Sequence, residues 1–364
     1  MKKLLSLILS LIFVMSLTGC SSQKTGATAV SIAPKQSEGK YAYMCLEDKE
    51  KKVYDSMYYT LSNHEEVVQV ETLDDEDMKK VFFCVLKDHP EVFWCSSFNR
   101  SSTKYTDGSV KTEFCPIYSM TKQERYDYQE KIDKVADSWL AKIPAGADDY
   151  TKAKILFDIL TTEVDYVSDS EENQNIISTF VNKQTVCQGY AKAFQYLLNK
   201  TGVESVLVKG KANGNNHAWN LVKLDGEYYH FDVTWGNPSF ADNKPTGTFI
   251  NYAYFAVTTK EISTNHIIQD DLEFPECTAT SDNYFVHEGL YFDKANANIV
   301  GDAIYTADAN NKSFVSVKFA DDTTYNWAIN YFVTQRHVFD FYKSRNKLFL
   351  HKNDELRVMS LIFS

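Results

Sequence analysis

The stretch from His217 to Trp235 reads as two β-rich arms joined by Asp225-Gly226, and this dipeptide constrains the fold more than any other feature. Asp-Gly between such arms predicts a two-residue type I′ turn, whose twist matches that of the flanking strands. A turn of that kind fixes the register. Leu224 pairs with Glu227, Trp219 falls opposite Asp232, and His217 falls opposite Thr234. Paired residues face the same side of a sheet, and so do residues two apart. His217, Trp219, Asp232 and Thr234 therefore share one face. His217 and Asp232 are diagonal neighbours, roughly 7–8 Å apart at the backbone. A carboxylate in that position can hold an imidazole, fix its tautomer and stabilise its protonated form. A three-residue turn would break the parity. Each residue also has a plain reading: His217 as a structural histidine, Asp232 as a polar strand end. His230, on the same face but further from His217, reads as structural.

A third residue completes the chemistry. Thr185-Val186-Cys187-Gln188 fits the Thr-x-x-Gln capping box, and an amphipathic run follows as far as Lys200. Gly202 stands where a helix stops. Cys187 is thus expected in the first turn of a helix. The unpaired N–H groups and the macrodipole there favour a negative charge. A thiol so placed ionises more readily than usual, and the thiolate is the nucleophile. Cys187 alone could equally be a packing cysteine; the ordered set of Cys, His and Asp is what favours catalysis.

The chain opens with Met1-Lys2-Lys3, an apolar run from Leu4 to Leu17, and Leu17-Thr18-Gly19-Cys20. A basic start, an apolar middle and small residues at the cut are the layout of a secretory signal. The Leu-x-Gly-Cys ending resembles a bacterial lipobox, which implies cleavage after Gly19 and lipid on Cys20. The apolar run is short for a membrane span, and no other stretch is long and apolar enough for one. Residues 20–40 then read as a lipidated, flexible tether. This places the protein outside the cytoplasmic membrane, attached to it through lipid. Of the other cysteines, Cys45, Cys84, Cys95, Cys115 and Cys277 show no C-x-x-C pair and no zinc spacing. Cys84, within an apolar run, reads as a small buried hydrophobe.

Charge excludes one class of partner. The net charge is −11, and loss of residues 1–19 leaves 36 basic against 49 acidic residues, or −13. Such a surface repels phosphates, so no nucleic-acid partner is expected.

Along the chain, residues 46–62 and 75–87 predict helices, and 92–118 a hairpin turning at Asp107-Gly108. Residues 41–118 form a small α+β region. Helices follow over 121–142 and 148–163, then an irregular polar stretch to 185, the Cys/His/Asp segment, and a closing strand and turn over 249–270. The region 119–272 is the expected catalytic domain. From 275 to 364 a compact β/α unit is expected: strand 284–292, helix 295–307, strand 313–319, helix 323–342, then strands.

Val186-Cys187-Gln188-Gly189-Tyr190-Ala191, His217-Ala218-Trp219-Asn220 and Tyr229-His230-Phe231-Asp232-Val233-Thr234-Trp235 resemble the bacterial transglutaminase-like superfamily, related to papain-fold cysteine proteases. The resemblance covers residues 150–270. Asp88-His89-Pro90-Glu91-Val92-Phe93-Trp94 looks similar, less specifically, to the leader region of lipoprotein members. The implied fold is α+β, with a Cys-bearing helix packed on an antiparallel sheet that carries the His and Asp. The implied chemistry is attack of Cys187 on an amide carbonyl to give a thioester, with His217 moving protons and Asp232 orienting it. No cofactor or metal is implied; the substrate would be a protein or a cell-wall peptide. The Cys187 N–H is a natural oxyanion donor. Gln184 either reaches the site or is a solvated amide, Gln188 either assists or caps the helix, and Trp219 either walls the groove or packs in the core. Hydrolysis and transfer to an amine both remain open. Against the enzyme stand a catalytically silent scaffold of the same fold, and a Cys/His/Asp metal site that matches no compact ligand spacing.

Overall fold

The computed structural model describes residues 37–237, 248–343 and 347–363. The signal segment 1–19, Cys20 and nearly all of the tether lie outside the described residues.

The first unit comprises α1 (Tyr41–Met44), α2 (Asp48–Asn63), β1 (Val68–Val70), α3 (Asp75–Asp88), β2 (Cys95–Lys104) and β3 (Val110–Tyr118). The strands form an antiparallel sheet in the order β1-β3-β2. Helix α2 starts at a capping box between Glu47 and Glu50; α3 starts where the Asp74 carboxylate accepts from the Asp77 N–H. The motif beginning at Asp88 has a structural purpose. The buried Asp88 carboxylate accepts from the N–H groups of Ala42 (2.9 Å) and Tyr43 (2.8 Å) and from the Tyr54 hydroxyl (3.0 Å). It thereby fastens α1, which the sequence reading did not include, onto α3.

The central unit begins with α4 (Lys122–Leu140), α5 (Asp149–Glu163), β4 (Asp165–Tyr166), a π-helical turn (Ser178–Asn182) and β5 (Gln184–Thr185). It continues with α6 (Cys187–Thr201), β6 (Ser205–Ala212), β7 (Asn215–Leu224), β8 (Glu227–Phe231), α7 (Val233–Gly236), a 3-10 turn (Tyr252–Tyr254), α8 (Thr259–Ile262) and β9 (His266–Ile268). Its four-stranded antiparallel sheet has the order β8-β7-β6-β9. Asp225 (φ 47°) and Gly226 (φ 92°) adopt the positive φ values of the expected turn. The register agrees: Leu224 pairs with Glu227 and Asn220 with Phe231.

The ladder stops at Asn220 and Phe231, three pairs short of the expected His217–Thr234. Asp232 leaves it to cap α7, accepting from the Trp235 N–H at 3.2 Å. Thr234 is therefore helical, and His217 pairs instead with Gly210 on the other side of β7. Helix α6 lies across β6 and β7, and Phe157, Tyr190, Phe194, Trp219, Phe231 and Phe255 are all buried in one core. That core takes in the first unit, from Ala42 onward, and reaches Tyr284, Phe285, Leu356 and Val358. Each such side chain contributes about 1.5–3 kcal/mol on burial. The first unit is also held by a buried ion pair between Lys87 and Asp270.

The last unit has a core of its own. It contains α9 (Tyr284–His287), β10 (Tyr291–Phe292), α10 (Ala297–Ala309), β11 (Phe314–Phe319), α11 (Asp322–Ala328), a π-helical turn (Ile329–Thr334), α12 (Val338–Phe341), β12 (Leu348–Asn353) and β13 (Val358–Phe363). Two expectations fail here. Residues 284–292 are mostly not a strand, because the Asn283 side chain accepts from the Phe285 N–H and starts a helical turn. The helix expected over 323–342 is interrupted: the turn after α11 widens to π geometry and Arg336 takes a positive φ of 64°. Among the described residues no helix is long and apolar enough to cross a membrane.

Candidate active site

Cys187 is the first residue of α6 and is half-buried. The helix begins there without the expected capping box. Val186 is the N-cap and no side chain caps it. Thr185 belongs to β5, and its hydroxyl is taken by Ser178 Oγ at 2.6 Å and the Asn173 carbonyl at 3.2 Å. The Gln188 amide donates to the Gln174 carbonyl at 3.1 Å. No side chain caps the first turn's N–H groups, and uncapped N–H groups at a helix start suit a developing oxyanion. The helix stops at Gly202, left-handed at φ 84°.

Close packing fixes this helix start. A Cβ at Gly189 would lie 1.8 Å from Thr185 Oγ1 and 3.1 Å from the Asn173 carbonyl oxygen. Gly189→Ala must push the first turn of α6 away from β5. The expected cost is about 1–3 kcal/mol, typical of overpacking, and Cys187 should alkylate at an altered rate. Urea unfolding together with thiol alkylation of this variant checks both.

On the sheet, His217 and Asp232 meet as the register requires. His217 Nε2 donates to Asp232 Oδ2 at 2.7 Å, with Asp232 wholly buried. Cys187 and His217 line the same cleft. Burial alone would make His217 less basic. The Asp232 charge and hydrogen bond, then the contact with Cys187, outweigh it and raise the imidazole to about 10. Asp232 moves the opposite way. Burial pushes its carboxyl up, but His217 and His266 hold it well below the usual carboxylate range.

His266 is the residue that sequence reasoning missed. It sits on β9, fully buried, with Nε2 3.1 Å from Asp232 Oδ2 and Nδ1 2.6 Å from Asn265 Oδ1. It lies 34 residues from Asp232, and only the pairing of β9 with β6, at Ala212 opposite His266, brings it there. No local pattern announces it. His217, Asp232 and His266 each offer a ligand atom, all within 4.8 Å of one another. The contacts between them have hydrogen-bond lengths, and a proton on a ring nitrogen leaves no lone pair there for a metal.

The remaining residues sort clearly. Trp219 is fully buried, its ring 6.2 Å from that of His217 and 5.0 Å from that of His266. It supports the imidazoles from behind and is no wall of a groove. Its indole N–H donates to His230 Nδ1 at 3.2 Å. His230 is buried, lowered to about 4 by burial and then by His266, and is structural as expected. A cleft of about 590 Å³ opens over Cys187 and His217, lined also by Tyr166, Gln174, Gln188 and Gln269. Gln184 does not line it. That residue lies exposed on β5, paired with Asp165 in a two-residue ladder. Gln188, the other glutamine of interest, does.

Residues 137–233 match the model of the Transglutaminase-like superfamily, a stretch that includes Cys187, His217 and Asp232. Kyphoscoliosis peptidase of mouse is 22% identical over 165 residues, covering 41% of this chain and 25% of its own length. The human protein of the same name matches equally. The chain thus spans about a quarter of the curated relatives it matches. Among solved structures, a TGase is 12% identical, covering 50% of this chain and 53% of its own, with a TM-score of 0.29. The periplasmic domain of TgpA from Pseudomonas aeruginosa is 14% identical, covering 35% and 54%, with a TM-score of 0.24. Both scores are too low to define a shared overall fold.

Proposed function

Given that this chain carries a transglutaminase-like domain, we propose that it is a cysteine acyl-transfer enzyme with Cys187, His217 and Asp232 as its catalytic triad. Cys187 Sγ attacks the amide carbonyl of a protein or cell-wall peptide. The Cys187 N–H and its neighbours at the start of α6 receive the oxyanion. As the C–N bond breaks, protonated His217 gives its proton to the leaving amine. A thioester remains on Cys187. Water then attacks it, neutral His217 takes up the water's proton, and the acid leaves as the Cys187 thiolate is restored beside protonated His217. Asp232 keeps His217 oriented and charged. The peptidase name of the mouse and human relatives favours water over an amine as the second nucleophile. The observation that carries this reading is one imidazole bonded to a buried carboxylate and sharing a cleft with a thiol at a helix start.

The test is to incubate the protein with unfolded protein substrates and a fluorescent primary amine. Hydrolysis gives new chain termini in excess of amine incorporation. If neither product forms and no acyl-enzyme can be trapped on Cys187, the proposal fails.

His266 is a positioning residue in this scheme. His266→Phe keeps a ring but removes a hydrogen bond from Asp232. Turnover should fall about tenfold with KM little changed, since small misplacements are costly in triads. His266→Asn, which retains an N–H donor, should recover part of the loss. Equal losses in both variants would mean that His266 serves only packing.

The proposal also covers location. A cleaved leader ending at Gly19 and lipid on Cys20 would hold the enzyme on the outer side of the cytoplasmic membrane. Metabolic labelling with palmitate, compared with Cys20→Ser, tests this. Unchanged labelling in the variant excludes Cys20 as the lipid site.

A further inference from the structure

The cleft over Cys187 continues into a second cavity of about 240 Å³, the two sharing Gln174, Gln188 and Lys209. The second cavity lies where the first unit meets the catalytic sheet, with Phe83 and Lys87 of α3 on one side and Lys192 of α6 and Lys209 of β6 on the other. Its lining holds three lysines and, among the described residues, no Asp or Glu.

The three ammonium groups are not equivalent. Lys87 is neutralised by its buried ion pair with Asp270. Asp270 also accepts from the Lys209 backbone N–H, so both its oxygens are engaged. Among the described residues neither the Lys192 nor the Lys209 side chain has an ion-pair partner. Lys209 is exposed, its Nζ 5.8 Å from the centre of the Phe83 ring. Lys192 is partly buried, and burial, then the charge of Lys209, lower it to about 8. Two like charges face one enclosed space on a chain whose net charge is −11. An anion entering that space relieves both the repulsion and the lost hydration.

We infer that this cavity is a substrate subsite for a carboxylate, Lys192 and Lys209 holding an acidic group of the peptide whose amide bond Cys187 attacks. The inference rests on the function proposed above. Lys192 follows Cys187 by five residues on α6, about 7–8 Å along the axis at ~1.5 Å per residue. An extended peptide rises ~3.3 Å per residue, so the acid lies about two residues from the scissile bond. Phe83, 48% exposed, offers an apolar surface for the stem of an acidic side chain. A side chain and a free chain terminus both supply such an acid; the two share the carboxylate.

The test uses the full chain in detergent and reads protection of Cys187 from iodoacetamide by mass spectrometry. Three competitors are compared: doubly capped Ala-Ala-Glu-Ala-Ala, the same peptide with Gln for Glu, and the Gln peptide with a free C-terminal carboxylate. A single Glu can slide into register, so the peptides need no prior alignment. The capped Glu peptide should half-protect at a concentration about tenfold below that of the capped Gln peptide, the scale of one charge-assisted hydrogen bond. The free-terminus peptide matches the Glu peptide if the subsite takes chain ends, and the capped Gln peptide if it takes side chains. Lys192→Gln should bring the Glu and Gln values together, whereas Lys192→Arg should keep them apart. If Cys187 alkylates normally but all three peptides protect alike, the subsite is wrong and the triad stands. If Lys192→Gln leaves the preference intact, Lys192 is not its source. If Cys187 resists iodoacetamide altogether, the proposed function fails and takes the subsite with it.

Discussion

Cys187→Ala is expected to reduce turnover to background, a loss of about 10⁴-fold or more, while leaving the fold intact. The size of the loss follows from the chemistry: without Sγ no thioester forms, and oriented binding with oxyanion donors alone leaves only a residue of catalysis in triad enzymes. Four of the other described thiols are poor substitutes. Burial pushes Cys84 up to about 12, and Cys95 and Cys277 up to about 11, so these remain inert thiols. Cys45 stands at the C-terminal end of α1 and its thiol is itself raised, by desolvation and then by Asp88. Stability should change by less than about 1 kcal/mol, because Cys187 is only half-buried. Steady-state kinetics and thermal unfolding of the variant check both halves. Serine at this position should be nearly as inactive, since its hydroxyl is a weak nucleophile at its own pKa.

Asp232→Ala should damage stability and activity together. The carboxylate is wholly buried and accepts from His217, His266 and the Trp235 N–H. Removing it strands two buried imidazoles and uncaps α7. Breaking a buried charged pair from one side costs about 3–5 kcal/mol. Turnover should fall by about 10³–10⁴, because His217 loses both its orientation and its charge. The pH dependence has a definite sign. His217 is raised from 6.5 to about 10, so its contribution to stability is complete below pH 6.5 and is lost as pH rises through about 10. Asp232 is depressed, so its contribution is present above pH 3.8 and is lost only as pH falls through its lower folded value. The two describe one interaction seen from its two ends and do not add. Denaturant unfolding between pH 6.5 and 10 should therefore show stability declining in the native protein and nearly flat in Asp232→Ala. The activity of Asp232→Asn should also lose its alkaline limb near 10 and fall off at lower pH. A native protein whose stability is flat over this range would contradict the buried His217–Asp232 pair.

Much of the site was legible in the residues. Asp225-Gly226 fixed the strand register because a two-residue turn allows only one, and that register brought His217 beside Asp232 without any tertiary information. The helix start at Cys187 was right for a partly wrong reason. The capping box could be written down from Thr185 and Gln188, but Thr185 was drawn into β5 and Gln188 into a contact with Gln174. Local capping chemistry lost to a neighbouring strand. His266 was invisible because its meeting with Asp232 depends on where β9 joins the sheet, which no short-range pattern encodes. The same holds for the lysine cavity, assembled from α3, α6 and β6. Trp219 was correctly placed on the His217 face, yet the depth of that face, closed over by β9 and Trp235, decided that it is buried. In the last unit, residues 284–292 were expected as a strand, and one asparagine cap turned Tyr284–His287 into a helical turn.

The account turns on whether Cys187 and His217 form a reactive pair. The most direct measurement is the rate of iodoacetamide alkylation of Cys187 against pH, site-resolved by mass spectrometry, in the native protein and in His217→Ala. An ordinary thiol, with a pKa of about 8.5, is only a few per cent ionised at pH 7. The account predicts rapid alkylation at pH 6–7 in the native protein, and a fall of about ten- to thirtyfold at pH 7 once His217 is removed. Alkylation that rises only above pH 8 in both proteins, with Cys187 no faster than Cys84, would contradict it.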